Sequence, residues 1–463
     1  MELEKLIITA LNKTGRRNIK SLTDEMKHNR FFTNWSASHH RWDGGTAEHS
    51  WQVYQFMLYL RDNPNDKLKQ YQFDYSTLSD SSIAIVGLLH DLGKIKGNYL
   101  HNINSVKILL QHNVQVSNEE LSAILFHMSV DNRNINFDRT VYASLRQFEH
   151  KAQNPLLALL EQADHISSGT AWNSSYFIKG QSQKKDKPQT TIEARRRNAY
   201  DRTIQMLEYK MYCDHNGQFQ HLSNDGRDLN RTFYDCELHT LPTGSEDTNI
   251  IIKNGDFIEE AKLISKADNT DDLCMVIGGD GISPARGFNS GRPGDEKTLM
   301  LCSNMSKAFA NYELGTSKRA DRHYITRRDI QDRYPLDRRY GGVFVKNVTI
   351  IRDGEPRGLR QIQPWDVNVV VVRGAHLHGN WNGDTESIMT EKIKTLFRIA
   401  YWNGQKRLVI PALGADGSWK NPQNHIARLL FNILRSSEFK SVFKEVYFIV
   451  PNEYKQIYHR CAK

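Results

Sequence analysis

The sequence predicts a multidomain protein with an all-α domain over residues 1–175 and an α/β domain with a mixed sheet over residues 191–463, joined by a linker over residues 176–190. Three observations support this prediction. A chain of 463 residues is too long for one ordinary hydrophobic core. The first part has apolar residues at helical spacing without strand-like alternation, whereas the second part interleaves short β-branched runs with helical patterns. The segment between them is polar and basic and has no apolar period.

The composition limits the class of protein. With 39% hydrophobic and 25% charged residues the chain is typical of a soluble globular protein. It has no apolar run near the ~18 residues that cross a bilayer, and its acidic N-terminus lacks the features of a secretory signal. We therefore expect a cytoplasmic protein with no membrane partner. The five cysteines are far apart, which indicates neither a disulfide framework nor a thiolate zinc site. A net charge of +9 permits a phosphate-bearing partner and leaves nucleic acid possible.

Local patterns predict the helices of the first domain. A Gly pair breaks the chain before a helix that Thr46 can cap. The apolar run from Ile83 ends at His90-Asp91, and Ser117 with Glu120 forms a capping-box sequence before another apolar run. The predicted helices are residues 1–30, His49 to about Arg61, the run from Ile83 to His90, the pattern from Ser105 to Leu110, Leu121–His127 and Pro155–His165.

Five side chains with metal-ligating chemistry lie at the ends or on one face of these helices. They are His49, His90, Asp91, His127 and Asp164. Imidazole and carboxylate ligands suit a divalent metal such as Mn, Mg, Fe, Ni, Co or Zn, and no thiolate narrows the choice.

The order of these residues resembles the HD-domain metal-dependent phosphohydrolases over roughly residues 35–170. The resemblance rests on Leu-Leu-His-Asp-Leu-Gly-Lys at residues 88–94 and on Gln-Ala-Asp-His-Ile-Ser-Ser at residues 162–168. It implies that His49, His90, Asp91 and Asp164 hold the catalytic metal. It also implies that His127 reaches a second metal or the substrate phosphate. His101 lies where many relatives carry a histidine, and its role stays open.

The chemistry of such a metal site suggests catalytic roles for three residues. Asp91 would orient the nucleophile while binding metal, and His127 would act at the phosphate. Lys94 would neutralise charge that develops in the transition state, although a lysine one turn beyond a helix is often simply solvated.

The second domain is predicted from alternating strands and helices. Two Gly-rich loops, residues 278–297 and 411–422, each follow a strand and precede a helix. Such loops let backbone amides surround an anion. The predicted strands are residues 249–252, 273–277, 343–345, 348–351, 367–372, 408–410 and 446–450, and the predicted helices are residues 257–265, 298–312, 386–403 and 422–434.

The order of features in this domain resembles the macrodomain-fold family of microbial-type poly(ADP-ribose) glycohydrolases. The resembling segments are residues 194–199, 254–261, 287–296 and 408–422. The resemblance implies a nucleotide or ADP-ribose-like ligand. Its binding residues would be Gly287, Asp295, Glu296, Gly414, Ala415, Asp416, Gly417 and Ser418.

Two departures from this family pattern change the expected activity. Ala285-Arg286-Gly287 stands where relatives have three glycines, and Glu296-Lys297 stands where they have paired glutamates. An ammonium cannot replace the carboxylic acid that glycosidic cleavage requires. We expect a ligand sensor that no longer hydrolyses ADP-ribose linkages, with a scaffold or an active enzyme as alternatives.

Together the two resemblances imply a phosphohydrolase acting on nucleotides, with deoxynucleoside triphosphates as one candidate, regulated by a ligand of the C-terminal domain. By analogy this pairing suggests bacterial antiviral defence. Two alternatives stay open. The first is an HD-type phosphodiesterase or nuclease acting on DNA or RNA, which would use the basic linker and Arg195–Arg197. The second is a non-catalytic ADP-ribose reader. The oligomeric state is also open.

Overall fold

The computed structural model describes residues 2–34, 40, 43–97, 99–128, 139–169, 192–238, 246–268, 272–282, 284, 291, 293–309, 334–374, 381–415 and 420–463. The chain forms two compact units. The first comprises Met1–Tyr176 and Met211–His221, and the second comprises Phe177–Lys210 and Leu222–Lys463. The linker predicted at 176–190 lies outside the described residues. Among the described residues, no helix is long and apolar enough to span a membrane.

The first unit is helical over its N-terminal segment, as predicted. Its α-helices are Glu2–Lys13, Ile19–His28, Gly45–Asp62, Asp66–Lys69, Asp80–Leu89, His101–Gln111, Asn118–Phe126, Arg139–Arg146 and Pro155–Gly169, and its 3-10 helices are Tyr75–Thr77 and Leu92–Lys96. It also includes an antiparallel hairpin that the sequence does not predict, made of β1 (Met211–Cys213) and β2 (Phe219–His221). The hairpin packs on helix Gly45–Asp62, where the Trp51 indole donates a hydrogen bond to Gly217 O at 2.8 Å.

Capping and burial explain the helix that leads to His90. Ser79 accepts a hydrogen bond from the Ser82 N–H and caps helix Asp80–Leu89. Every residue from Ile83 to Leu89 is buried, as expected for a helix that is apolar on all faces. The capping box of Ser117 and Glu120 is also present. These two helices therefore deliver their C-terminal residues from a rigid core.

The start of helix Gly45–Asp62 differs from the prediction, because Thr46 does not cap it. The helix begins after Gly44, which has φ +83°, and Thr46 lies inside the first turn. A Cβ at Gly45 would lie 2.0 Å from His40 O, so the chain can pass there only as glycine. The two glycines set this turn.

The second unit is an α/β domain whose sheet is mixed, as predicted. Its strands are β3 (Arg231–Tyr234), β4 (Asn249–Lys253), β5 (Leu273–Gly279), β6 (Gly342–Arg352), β7 (Gln361–Arg373), β8 (Arg407–Pro411) and β9 (Glu445–Ile449). They are arranged in the order β3-β6-β7-β5-β8-β9-β4. The pairs from β7 to β4 are parallel, whereas β3–β6 and β6–β7 are antiparallel.

Helices cover both faces of this sheet. Alternate strand residues divide between two cores, with Met275 and Ile277 in one and Cys274 and Val276 in the other. One face packs against helices Ile192–Tyr209, Phe257–Asp268, Asp295–Cys302 and Met305–Phe309, and the other packs against Gly383–Trp402, Gln423–Leu434 and Asn452–Ala462. A 3-10 turn, Glu355–Arg357, follows β6. Parallel pairing brings the carboxyl ends of β4, β5, β7, β8 and β9 to one edge, where ligand sites form in such sheets.

Several element boundaries differ from the prediction. The strands predicted at 343–345 and 348–351 are the single strand β6, with a bulge between Val345 and Val348. The helix predicted from Thr298 begins at Asp295 and ends at Cys302, before a second short helix. Residues 310–312 of that prediction lie outside the described residues.

Candidate metal centre

The five predicted metal ligands come from four helices and lie close together. His49 is in the first turn of its helix, whereas His90 and His127 each cap the C-terminus of theirs. The His49 Nε2 atom lies 3.0 Å from Asp164 Oδ1 and 3.5 Å from Asp91 Oδ2. The His90 Nε2 atom lies 3.3 Å from His49 Nε2 and 3.6 Å from Asp91 Oδ2. Of the five, Asp164 is the most open, with 29% of its side chain exposed.

These residues form two overlapping sets of possible ligands. One set is His49, His90 and Asp164, and the other is His90, Asp91 and His127. Within each set the ligand atoms lie within 4.8 Å of one another. Because His90 belongs to both sets, the arrangement suits one metal ion or two adjacent ions.

Hydrogen bonds define which nitrogen of two histidines faces the centre. His90 Nδ1 lies 2.9 Å from Gly87 O, and His127 Nδ1 lies 2.8 Å from Ile124 O. A carbonyl only accepts, so each Nδ1 carries the proton and donates. Each neutral ring therefore has its lone pair on Nε2, as metal-binding histidines require.

Burial and neighbouring charges keep two histidine rings neutral and two carboxyl groups ionised, as metal binding requires. Burial lowers the pKa of His90 to about 3 and also lowers the pKa of His127, so both rings are neutral near pH 7. Burial alone would raise the pKa of Asp91, but Lys94 and the histidines hold that pKa well below its usual range. Burial likewise opposes ionisation of Asp164, but the adjacent His49 outweighs it and lowers the Asp164 pKa.

The chemistry of this donor set fits a divalent metal. Two ionised carboxylates and the bare Nε2 of His90 face one space from distances of 3.0–3.6 Å. Buried carboxylates and imidazole lone pairs that converge in this way are favourable when a cation lies among them. Nitrogen and oxygen ligands are those that Mn, Fe, Co, Ni and Zn share.

Both oxygens of Asp91 also contact positively charged or proton-donating side chains. The Lys94 ammonium forms a salt bridge with Asp91 Oδ2, and His101 Nε2 lies 3.1 Å from Asp91 Oδ1. Only 4% of Lys94 is exposed, so the alternative that it is simply solvated is wrong. His101 belongs to the centre but is absent from the predicted ligand set. Its position before Ser105 was the available signal, because Ser105 holds the turn after His90.

That turn requires the glycine of the Leu-Gly-Lys sequence. Ser105 Oγ donates to His90 O and accepts from the Gly93 N–H, each at 2.7 Å. A Cβ at Gly93 would lie 1.9 Å from His101 O. Glycine therefore lets helix His101–Gln111 approach and place His101 beside Asp91.

The centre opens into a cleft of about 770 Å³. His127 and Asp164 line it at the metal centre. Other lining residues carry positive charge or an aromatic ring, namely Lys67, Tyr71, His150, Lys151 and His165. Lys151 forms a salt bridge with Glu161, which also lines the cleft.

The second unit has a cavity of about 400 Å³ near the carboxyl ends of β8 and β9. Of the predicted ligand-binding residues, Asp295 and Ala415 line it, whereas Gly414 lines a separate small pocket. Glu296 is buried and accepts a hydrogen bond from the Asp280 N–H at 2.8 Å. Gly287, Asp416, Gly417 and Ser418 lie outside the described residues, as do Ala285 and Arg286.

Among the lining residues that were not predicted as binding residues, three have side chains that could contact a nucleotide. They are Arg195, Asp256 and Phe257. Asp256 and Phe257 follow β4 at the start of a helix, and this position after a strand was a usable signal. Asp256 Oδ1 accepts from the Ile258 and Glu259 N–H groups and so caps that helix.

Residues 46–169 match the family model described as HD domain, so the first unit carries an HD domain, a domain of metal-dependent hydrolases. Among solved structures, the chain is similar to poly(ADP-ribose) glycohydrolase from Thermomonospora curvata, with 17% identity, 57% of this chain and 98% of that chain covered, and a TM-score of 0.45.

It is also similar to the same enzyme bound to the inhibitor ADP-HPD, with 18% identity, the same coverage and a TM-score of 0.44. The enzyme from Deinococcus radiodurans in complex with ADP-ribose gives 18% identity, 47% and 85% coverage and a TM-score of 0.37. No curated protein matches the chain. The match over residues 46–169 agrees with the HD-domain resemblance found in the sequence.

Proposed function

We propose that this protein is a metal-dependent phosphohydrolase that acts on nucleotides. The observation that carries the proposal is the convergence of His49, His90, Asp91 and Asp164 beside a cleft, with His127 at its edge. These four residues would hold the metal, and His127 would hold a second ion or the substrate phosphate. A bound divalent metal lowers the pKa of water and polarises a phosphoryl oxygen.

In addition to the metal, side chains around the centre neutralise charge and offer contacts to a substrate. Lys94 neutralises charge at Asp91 and keeps its carboxylate ionised in a buried position. The cleft offers Lys67 and Lys151 for phosphate charge and the Tyr71 ring for a base. Its volume of about 770 Å³ lies in the range of small-molecule sites. A mononucleotide combines these features, and deoxynucleoside triphosphates are the first substrates to test.

In this proposal the second unit binds a nucleotide or ADP-ribose-like ligand that regulates hydrolysis. Its cavity joins an aromatic ring, a guanidinium and carboxylates at Phe257, Arg195, Asp256 and Asp295. It lies at the strand ends and at helix N-termini, where anionic ligands bind. Lys297 in place of a second glutamate supports binding without glycosidic cleavage. A role in antiviral defence is a hypothesis that follows from this pairing.

The two alternatives have less support. A nucleic-acid strap would use Arg195–Arg197, but Arg196 is buried, pairs with Glu355 and donates to Gly291 O. A non-catalytic ADP-ribose reader would not need a cluster of histidines and ionised carboxylates that can hold a metal in the first unit.

The proposal is tested by challenging the wild type and Asp91→Ala with Mn, Mg, Ni or Co and a panel of nucleotides, DNA and RNA. We expect phosphate or pyrophosphate release from nucleotides by the wild type alone. Turnover of nucleic acid in preference to nucleotides would favour the nuclease alternative. No turnover with any metal would contradict the proposed activity.

A further inference from the structure

We propose that Ser167 and Gln52 are positioning residues that fix the proton of His49 on Nδ1 and so present the lone pair of Nε2 to the metal. This inference rests on the proposed function, because it concerns a ligand of the same centre. Neither residue belongs to the ligand set predicted from the sequence. Both are fully buried, and His49 is 1% exposed.

The three side chains form a continuous chain of short contacts. Ser167 Oγ lies 3.0 Å from His49 Nδ1 and donates to Gln52 Oε1 at 2.8 Å. Gln52 Nε2 lies 3.4 Å from Glu48 Oε1, one helical turn away on the same helix. His40 Nε2 lies 3.3 Å from Gln52 Oε1.

The direction of each hydrogen bond follows from which groups can donate. The Gln52 amide donates from Nε2 to Glu48 Oε1, so its oxygen is directed to Ser167. The amide oxygen also only accepts, so it takes the one hydroxyl proton of Ser167. Ser167 can then only accept from His49, and the proton of a neutral His49 must lie on Nδ1.

The consequence appears on the other side of the ring. With the proton on Nδ1, His49 presents a bare Nε2 to Asp164 Oδ1 at 3.0 Å and to His90 Nε2 at 3.3 Å. Asp164 and Ser167 are three residues apart on helix Pro155–Gly169 and share one face of it. One helix therefore holds His49 from both sides, with a metal ligand at Nε2 and a proton acceptor at Nδ1.

Breaking this chain would allow the other tautomer. Without an acceptor at Nδ1, the proton moves to Nε2 and donates to Asp164, which blocks the atom that binds metal. Loss of partners that orient metal-binding histidines typically weakens metal affinity about 10- to 100-fold. A purely structural role for Ser167 would lower stability without moving the proton.

The test uses the full-length protein and two measurements that do not depend on turnover. Titration with Co²⁺, followed by its visible absorption, gives the metal Kd. Nitrogen-15 NMR of metal-free protein with labelled histidine gives the tautomer of His49, whose signals are assigned by their loss in His49→Gln.

Four variants are compared with the wild type. Ser167→Ala should bind Co²⁺ about 10- to 100-fold more weakly and place the His49 proton on Nε2, whereas Ser167→Thr keeps the hydroxyl and should behave as the wild type. Gln52→Leu keeps Ser167 but frees its hydroxyl to donate to Nδ1, so it should shift the tautomer as well. Ser122→Ala is the matched control, since this buried hydroxyl donates to Leu145 O and Phe148 O, which are backbone atoms of residues outside the ligand set.

The possible outcomes separate this inference from the proposed function. Wild-type Co²⁺ affinity with the proton still on Nδ1 in both Ser167→Ala and Gln52→Leu would overturn the positioning role. If Ser167→Ala does not fold, Gln52→Leu decides the question. A wild type that binds none of the divalent metals would instead contradict the proposed function.

Discussion

The metal centre of the first unit and the cavity of the second unit differ in how their polar groups are satisfied. At the metal centre, carboxylates and the bare nitrogen of a histidine face one another from 3.0–3.6 Å. At the cavity, Asp256 caps a helix and Glu355 pairs with Arg196, whereas the Nε atom of Arg195 is buried without a hydrogen-bond partner among the described residues. The first site therefore offers ligand atoms for a cation, whereas the second offers a guanidinium donor for a ligand.

The largest expected effect is at Asp91. Asp91→Asn should reduce metal-dependent hydrolysis by about 1,000-fold or more, because losing a ligand costs more than the 10- to 100-fold typical of its supporting residues. It also leaves the buried Lys94 ammonium without its partner, which costs about 3–5 kcal/mol of stability. Phosphate release and urea unfolding measure the two effects.

A double variant separates activity from stability in this experiment. Asp91→Asn/Lys94→Met removes the unpaired charge and should regain most of the stability without regaining activity. Recovery of hydrolysis in the double variant would argue against Asp91 as a ligand. The exposed Asp62→Asn is the control for loss of one carboxylate.

Metal removal should affect one unit only. A metal present at 100 times its Kd adds about 2.7 kcal/mol to the free energy of unfolding of the unit that binds it. We therefore expect a chelator to lower the Tm of the first unit in calorimetry and to leave the second unit unchanged. In Asp164→Asn, the chelator should lower the Tm of the first unit by a smaller amount. Equal shifts of both transitions would be inconsistent with a site confined to the first unit.

Loss of one charge at the cavity should change ligand affinity by a smaller factor than loss of Asp91 changes hydrolysis. Burial raises the pKa of Asp256, yet its carboxylate lines the cavity beside Phe257. Asp256→Asn keeps the helix cap but removes the charged acceptor, so ADP-ribose should bind about 10-fold more weakly by calorimetry. Hydrolysis without ADP-ribose should not change. Unaltered affinity in this variant would place the ligand elsewhere.

The metal ligands could be predicted because the local sequence positions them. His90 follows a helix that is apolar on all faces, and His127 follows a helix with a capping box. Both histidines thus lie at helix ends that the sequence marks. Their partners could not be predicted in the same way. Ser167 contacts Gln52 across a separation of 115 residues, and only the packed helices bring the two together.

Short elements and loop sites were harder to predict for a different reason. The strands β1 and β2 have three residues each, too few to show a period of two, and they are stable only because they pack on a helix. At the cavity, Asp256 follows the end of β4 whereas Arg195 lies on helix Ile192–Tyr209, so the two line one cavity only once the sheet and its helices have packed. The mixed sheet itself was predictable from its β-branched runs.

A last comparison concerns one buried lysine of each unit. Lys94 has a carboxylate partner, whereas Lys392 donates to Arg338 O at 2.8 Å and to Arg373 O at 2.6 Å and is 5% exposed. Burial and the neighbouring Arg373 lower the pKa of Lys392 to about 7. A neutral amine still has two N–H groups, so it can make both hydrogen bonds without a charge.

This lowered pKa predicts a specific dependence of stability on pH. An unfolded lysine has a pKa of about 10.4, so between about pH 7 and pH 10 the unfolded state binds more protons than the folded state. The free energy of unfolding contributed by Lys392 should therefore rise with pH, by up to about 1.4 kcal/mol per pH unit. Urea unfolding of the wild type and Lys392→Met across this range measures the difference in slope. The variant should be less stable at pH 10, where two carbonyls lack their donor, and should lose this rise. Parallel slopes would mean that the ammonium is stabilised by the two carbonyls, and that the second unit tolerates a buried charge as well as the first.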